Sequence, residues 1–465
     1  MPLNIVIIGA GTYGCYLANA ISEKYPDAQI KLFDVGDSNI KSESEIGFLS
    51  KVMKGAYKAS SDGRFFGLGG TSAKWGGQLL FFSERDFASD RYMDDIVDYN
   101  IKHHRKVLSR FFKDAPDLKE TSFDNDLFIK KGIWLKFNQR NLFKHFDLAR
   151  KSNITVYNNS RVIDLLNDGE KITGVKVQNS NNVAVHTADI FYLTSGAFES
   201  LRLLEVSGLA DMQESSAGFA DHVSLRCFKV HSPTAKVGKQ DFQFRFLNGS
   251  MITSRLVGEI DNVSYYIHAI FNEDFNIFQF LKQLIFKGKF STDKLTASLK
   301  QFIYIFPFVF SYLFLKKLYI FGSWYINVDI ELPANNNSIK LSDQIDAYGQ
   351  RGINIDYNIT PDATARLLAI KQRVKTLLDA SGLKYTELAD TNASALKLED
   401  TYHPYKLFKY NGSAGIDSVY QPLKGLFLFN TGLLYRSGGI NPTASIFCLI
   451  EQHIAEVMHN LPRNQ

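Results

Sequence analysis

Apolar and polar positions alternate with three different periods along this chain, and each period predicts a different element. Leu3 to Ile8 (LNIVII) is a short continuous apolar, β-branched run, the pattern of a strand buried on both faces. Cys15 to Lys24 has helical spacing, and Gln29 to Phe33 (QIKLF) reads as a second buried strand ending in Asp34. Together these predict a β-α-β unit. Asp94 to Phe112 predicts a charged helix. Its pair His103-His104 is expected on a solvated surface. Asn327 to Leu332, Ser338 to Leu341 and Ile353 to Tyr357 read as strands, and Thr360 to Ala380 as an amphipathic helix. Near the end, Gly425 to Asn430 predicts one more buried strand and Thr443 to His459 a helix. Asn441-Pro442 suits the start of that helix, since Asn caps and Pro tolerates the first turn.

Composition narrows the class. In 465 residues, 45% hydrophobic and 22% charged is an ordinary globular mix with material for a large core, enough for several domains. The net charge of +5 is too mild over this length for nucleic acid to be the main partner. Cys15, Cys227 and Cys448 are too few and too far apart for a disulfide framework or a CxxC metal site, which points to a reducing compartment. The first residues carry no basic n-region, long apolar run or cleavage site, so the mature chain is expected to start at or near Met1, in the cytoplasm. No HExxH, paired CxxC or Walker loop is present, so neither a catalytic metal nor phosphoryl transfer is expected.

The chemistry starts in the first turn. Gly9, Gly11 and Gly14 (GAGTYG) stand between the first strand and its helix, with Asp34 20 positions beyond the last glycine. The first glycine permits a tight turn, the second a close backbone approach to a pyrophosphate, and the third close helix-strand packing. Asp34 can accept from a ribose hydroxyl. The motif alone does not separate NAD from FAD. Gly67 to Gly77 (GLGGTSAKWGG) adds five glycines, which let backbone amides crowd a bound group.

GAGTYG, the strand end at Asp34 and Gly36, and GGTSAKWGGQ together resemble the glucose-methanol-choline (GMC) oxidoreductases, FAD enzymes that oxidise alcohols and sugars. Further similarities follow in the family's order. Val162, with Thr173-Gly174-Val175 after it, resembles the hairpin over the adenine. Ser195-Gly196-Ala197 with Glu199 to Leu204 resembles the family's strand end and helix, and Gly218 to His222 its Asp-His block. Tyr402-His403-Pro404 and Gly438 to Thr443 stand where the family keeps its catalytic His and its His or Asn partner. About half the chain is covered.

The resemblance implies a Rossmann-like FAD-binding domain, α/β and discontinuous (1–90, 150–222 and 400–465). An inserted α+β substrate domain (91–149 and 223–399) would be built on a mainly antiparallel sheet. Gly9, Gly11, Thr12, Gly14, Asp34, Gly69, Gly70, Thr71, Ser72, Trp75, Gly76, Gly77, Val162, Ser195, Gly196, Asn430, Thr431, Asn441, Pro442 and Thr443 would hold FAD. Lys74 stands where some members attach the flavin through a His, so FAD is expected to be non-covalent. His403 would accept the hydroxyl proton, Asn441 would orient that hydroxyl, and hydride would pass to flavin N5. The substrate implied is a sugar or other polyol, and the final electron acceptor stays open. One departure is plain: Tyr405-Lys406-Leu407 replaces the family's Gly-Thr or Gly-Gly after the His-Pro pair. A flavoprotein reductase or desaturase of an isoprenoid or sterol-like lipid, and a non-catalytic membrane-associated flavin protein, stay open beside it.

Residues 275–324 shift composition. QFIYIFPFVFSYLFLKKLYIFGSW holds an apolar run, Phe302 to Leu315, that is 14 residues long with Pro307 inside, too short to span a bilayer. Three readings stand: buried core, an interfacial patch whose rings enter the headgroup boundary of an inner membrane face, and, least favoured by its length, a membrane span. In the second, Lys282, Lys287, Lys289, Lys316 and Lys317 would face anionic lipid, and a lipid-linked substrate becomes attractive.

Overall fold

The computed structural model describes residues 2–276, 302–332, 336–388, 402–409 and 416–458, apart from positions 56, 61, 88, 89, 91, 181, 249, 274 and 457. Lys282, Lys287 and Lys289, and the rest of the aromatic segment between 277 and 301, lie outside the described residues.

The first apolar runs form the parallel strands Asn4–Ile8 and Gln29–Phe33, joined by the helix Thr12–Lys24. They sit inside a five-stranded parallel sheet in the order 426–428, 190–193, 4–8, 29–33, 154–157. Every side chain of Ile190–Leu193 and Leu426–Leu428 is buried, as a sheet covered on both faces requires. The C-terminal helix Thr443–Glu456 is buried along nearly its whole length, so it is apolar on all sides rather than amphipathic. Its Phe447 stacks on Tyr16 of the first helix, with ring centroids 4.2 Å apart. Beyond the strand at 29–33, the segments 160–167, 172–179 and 182–186 make an antiparallel meander.

The second large sheet is antiparallel. Along it run Tyr385–Glu387, His222–Val230, Trp324–Glu331, Val263–Phe271, Ser250–Ile260, Phe128–Trp134 and Gln78–Leu79. Directly opposed residues share a face, and the faces differ sharply. Leu225, Val328, Ile267 and Leu256 point to one side, where the helix Pro361–Ala380 packs. His222, Ser224, Arg226, Arg255, Tyr266, His268, Asn327, Asp329 and Glu331 belong to the other, which faces the parallel-sheet half.

Two expectations are corrected by the packing. His103 is buried, not solvated: its Nε2 lies 2.7 Å from Gln452 Oε1 on the C-terminal helix. The helix that carries it, Asp94–Ser109, is amphipathic, and its inner face is closed by that neighbour. The boundary expected at residue 91 is also crossed in both directions. Asp94–Ser109 packs on the nucleotide half, whereas Gln78–Leu79 and Ser50–Gly55 pair with strands of the expected substrate domain. Among the described residues no helix is long and apolar enough to cross a membrane.

Candidate active site

The C-terminal ends of the three middle parallel strands meet at one point, the place where open α/β sheets bind ligands. A Cβ on Gly9 would lie 2.7 Å from the Ser195 Cα, and one on Gly14 only 1.9 Å from the Gly9 carbonyl oxygen. Gly70, with φ of +49°, sits against the Gly11 Cα, so the glycine-rich segment closes over the first turn backbone to backbone. Gly69 N–H donates to the Ala10 carbonyl at 2.8 Å and fixes that approach. Around Gly196 the space is open. Asn430 uses Oδ1 to accept from Gly432 N–H, while its Nδ2 is buried with no partner among the described residues. Thr431 is buried beside it, at the start of a short turn. An elongated polar group with acceptor atoms fits this cradle, as FAD requires.

The predicted cofactor residues divide into two groups. Gly9, Gly11, Thr12, Gly14, Gly69, Gly70, Ser195, Gly196, Asn430 and Thr431 converge on the strand ends. Others turn inward. Asp34 accepts from Ala10 and Gly36 N–H, each at 2.9 Å, so both of its oxygens already pin the turn. Burial raises its carboxyl to about 6, against those backbone donors. Ser72 donates to the Gly69 carbonyl and accepts from Leu142 N–H, and Trp75 donates to the Arg140 carbonyl. Thr71, by contrast, reaches the Gly63 carbonyl only at 3.5 Å, and Lys74 is exposed. Gly76 and Gly77 lead into the edge strand at Gln78; a Cβ on Gly76 would meet the Trp134 ring at 2.7 Å. Val162 sits at a β-bulge of the meander, where the ladder is interrupted and backbone groups come free.

The proposed chemical end is organised by Asp221, which is fully buried. Its carboxylate accepts from the His403 N–H (3.1 and 3.2 Å), the His222 N–H (2.8 Å) and the Tyr57 hydroxyl (2.8 Å). Ala220 and Tyr405 exchange backbone bonds, so the His403 segment is laid as a short strand beside the start of His222–Val230. His222 Nε2 lies 2.8 Å from the Gly438 carbonyl oxygen, and its Nδ1 3.7 Å from Asp221. Burial opposes the imidazolium form of His222, but the Asp221 carboxylate and the Gly438 carbonyl outweigh it and raise its pKa. His403 is the contrasting ring. It crosses His222 edge to face at 6.4 Å between centroids, and its ring nitrogens have no hydrogen bond among the described residues. Desolvation lowers its pKa to about 4, with Asp221 opposing and His222 reinforcing. His403 is therefore a neutral base with free lone-pair capacity; His222 is a committed donor.

The Gly438 turn brings the second predicted catalytic residue in. Glu331 accepts from Gly438 N–H (2.9 Å) and from Arg436, which fastens the turn to the antiparallel sheet. Asn441 Oδ1 then accepts from both the amide and the hydroxyl of Thr443, at 3.0 and 2.7 Å, leaving Nδ2 without a hydrogen bond among the described residues. Pro442 supplies the first carbonyl of the helix. The bond between His222 and Gly438 thus joins the His403 strand to the Asn441 turn.

Sequence reading missed the role of Asp221 as a triple acceptor, because only pairing shows that residues 57, 222 and 403 meet. It also missed the buried Glu199, which burial would raise but which Arg202, Arg161 and Arg64 together pull down to about 2.

The parallel sheet is thus roofed by an antiparallel sheet with a polar inner face, and the candidate site lies between them. Among solved structures, pyridoxine 4-oxidase from Mesorbium loti is similar to this chain at a TM-score of 0.61 and 14% identity, covering 98% of this chain and 99% of that one. A new fungal aryl-alcohol oxidase is similar at 0.54 and 11%, with the same coverage. These likenesses establish the fold. No family profile and no curated protein sequence matches the chain.

Proposed function

We propose that this protein is a GMC-type FAD-dependent oxidoreductase that oxidises an alcohol group, with His403 as the proton acceptor. The observation that carries this reading is the pairing of two unlike imidazoles on Asp221, one a fixed donor and one a free neutral base, on a segment that the Leu407 N–H bond to the Gly432 carbonyl ties to the Asn430-Thr431 turn. The cradle at Gly9, Gly11, Gly70 and Ser195 would hold the dinucleotide without a covalent link, and the N-terminus of the helix Thr443–Glu456 would favour negative charge on it. FAD supplies a two-electron acceptor when bound. His403 takes the hydroxyl proton, Asn441 Nδ2 orients the same oxygen, and Asp221 holds His403 through its backbone while its charge favours the imidazolium form of His222. The polar inner face, with Ser224, Asn327 and Asp329, supports a hydroxyl-rich substrate such as a sugar or polyol.

The absorption spectrum of the purified protein tests this first. Bands near about 370 and 450 nm are expected, as for any oxidised flavin. Acid precipitation should release them into the supernatant. A colourless protein that refuses added FAD would remove the reading.

The aromatic segment extends it. Phe306, Phe314 and Ile303 are each more than 70% exposed, and Phe310 and Leu315 more than half. Phe308 stacks on Phe275 and anchors the turn from within. A groove of about 730 Å³, lined by Pro233, Gln243, Phe306, Phe310 and Phe314, opens beside it. Between 275 and 328 the sequence holds seven lysines and one acid, Asp293. An anionic lipid surface matches both the rings and the charge, and a lipid-linked alcohol would be met there. Flotation with phosphatidylglycerol vesicles should carry the protein upward. Phosphatidylcholine vesicles, or the variant with Phe306, Phe310 and Phe314 all changed to Ser, should carry little; equal flotation by both vesicle types would count against the charge argument.

A further inference from the structure

Among the described residues Arg255 is a buried cation without a counter-ion. It stands in the middle of the inner face of the antiparallel sheet and is only 8% exposed. Its Nη2 donates to the Gln78 carbonyl oxygen, and its guanidinium carbon lies 4.5 Å over the Tyr266 ring. Nη1 is buried and has no partner, and no carboxylate lies within ion-pair distance of Arg255 among the described residues. Its neighbours make the contrast clear. Arg226 on the same face has Glu273 at 3.3 Å, and Asp329 is taken by His268, also at 3.3 Å. Burial disfavours ionisation of Asp329, but His268 and the hydrogen bonds from Ser224 and Tyr266 hold it at about 2, so its charge is already spoken for.

A guanidinium without a carboxylate partner is expensive to bury, because its lost hydration is not returned by one amide oxygen, the Tyr266 hydroxyl and a ring face. Such a group is retained where something else completes it. Its position says what that is. Tyr266 lies between Arg255 and His222, with 6.3 Å between the Tyr266 and His222 ring centroids, and His222 in turn crosses His403. Gln78, the other partner of Arg255, directly follows the Gly76-Gly77 end of the cradle.

We propose that Arg255 binds a carboxylate on the alcohol substrate, which narrows the hydroxyl-rich substrate of this face to a hydroxy acid, such as a sugar acid. One guanidinium edge with a free Nη matches one monoanionic carboxylate. The inference rests on the reading of this face as the substrate side of an alcohol oxidoreductase, and it is tested by binding alone. Isothermal titration of the holoprotein uses two matched pairs: gluconate against glucitol, and 4-(hydroxymethyl)benzoate against benzyl alcohol. In at least one pair the acid should bind about thirtyfold or more tightly than its neutral partner, as expected for a desolvated charge pair. Arg255→Met should erase that difference, and Arg255→Lys should restore part of it, with both variants melting near the parent. Equal or undetectable binding of acid and neutral partner in both pairs overturns the proposal, as does an acid preference that survives Arg255→Met. A protein that shows the preference yet carries no flavin would keep Arg255 as an anion site and remove the oxidoreductase reading instead.

Discussion

Replacing His403 by Ala should lower the rate of substrate-driven flavin reduction by about 10²- to 10⁴-fold, the usual contribution of a positioned general base. Bound flavin and the melting temperature should change little, because the Asp221 carboxylate holds His403 by its backbone N–H, which alanine keeps. The pH profile adds a sharper test. An imidazole with its pKa lowered to about 4 by burial is deprotonated, and competent as a base, far below the usual 6.5. Protonation stops the reaction, so the acid limb should fall near pH 4 and the rate should be flat through pH 6 to 7. The alternative base, His222, has its pKa raised, so a limb above 6.5 would reassign the proton transfer to it. Near-normal flavin reduction in the His403→Ala protein would end the assignment.

The second large effect is expected at the glycine cradle, where two neighbouring substitutions should fail differently. Gly14→Val drives a Cβ to 1.9 Å from the Gly9 carbonyl oxygen and 2.6 Å from Thr194 Oγ1, both held by strand ends that cannot retreat. Overpacking of this kind costs about 1–3 kcal/mol or more, so this variant should lose both stability and flavin. Gly11→Ala meets no atom closer than the Thr194 carbonyl oxygen at 4.0 Å, and the Gly11 φ of −78° suits alanine. It should fold like the parent and bind FAD weakly, because the added methyl occupies the space where the backbone meets the ligand. Comparing melting temperature with the flavin-to-protein absorbance ratio separates the two. Full flavin content in Gly11→Ala would place the dinucleotide elsewhere.

The elements that periodicity specifies were read closely. Gln29–Phe33 is expected with the bounds the structure has, the helix expected from Thr360 to Ala380 runs Pro361–Ala380 with Thr360 as its N-cap, and the buried runs at 3–8 and 425–430 both join the parallel sheet. Continuous apolar runs and caps are local, so they survive without knowledge of partners. Burial of a mixed helix is not local. His103 lies on a charged helix, yet it is enclosed because the C-terminal helix, more than 300 residues later, closes over that face. The site was legible where glycines mark close approach and obscure where a side chain serves two masters. Asp34 has an acid's position for a ribose but spends its oxygens on Ala10 and Gly36. Arg255 gave no sign, since in SMITSRLVGEI nothing shows which residues share a face until the neighbouring strands are known.

The order of the parallel strands also bears on synthesis. The strand Leu426–Leu428 is an outer strand of the sheet, and among its described strands it pairs with Ile190–Leu193, which waits beside Asn4–Ile8. A ribosome therefore makes more than 230 residues after position 193 before the sheet can be closed on that side. Throughout that interval Ile190–Leu193 presents an apolar, unpaired strand edge, the kind of surface on which nascent chains stick to one another. Because Asn430 and the Asn441 turn follow that last strand, a chain cut short near its end loses the cofactor grip and the sheet margin together, and should be cleared or aggregated rather than accumulate as an inactive but folded apoprotein.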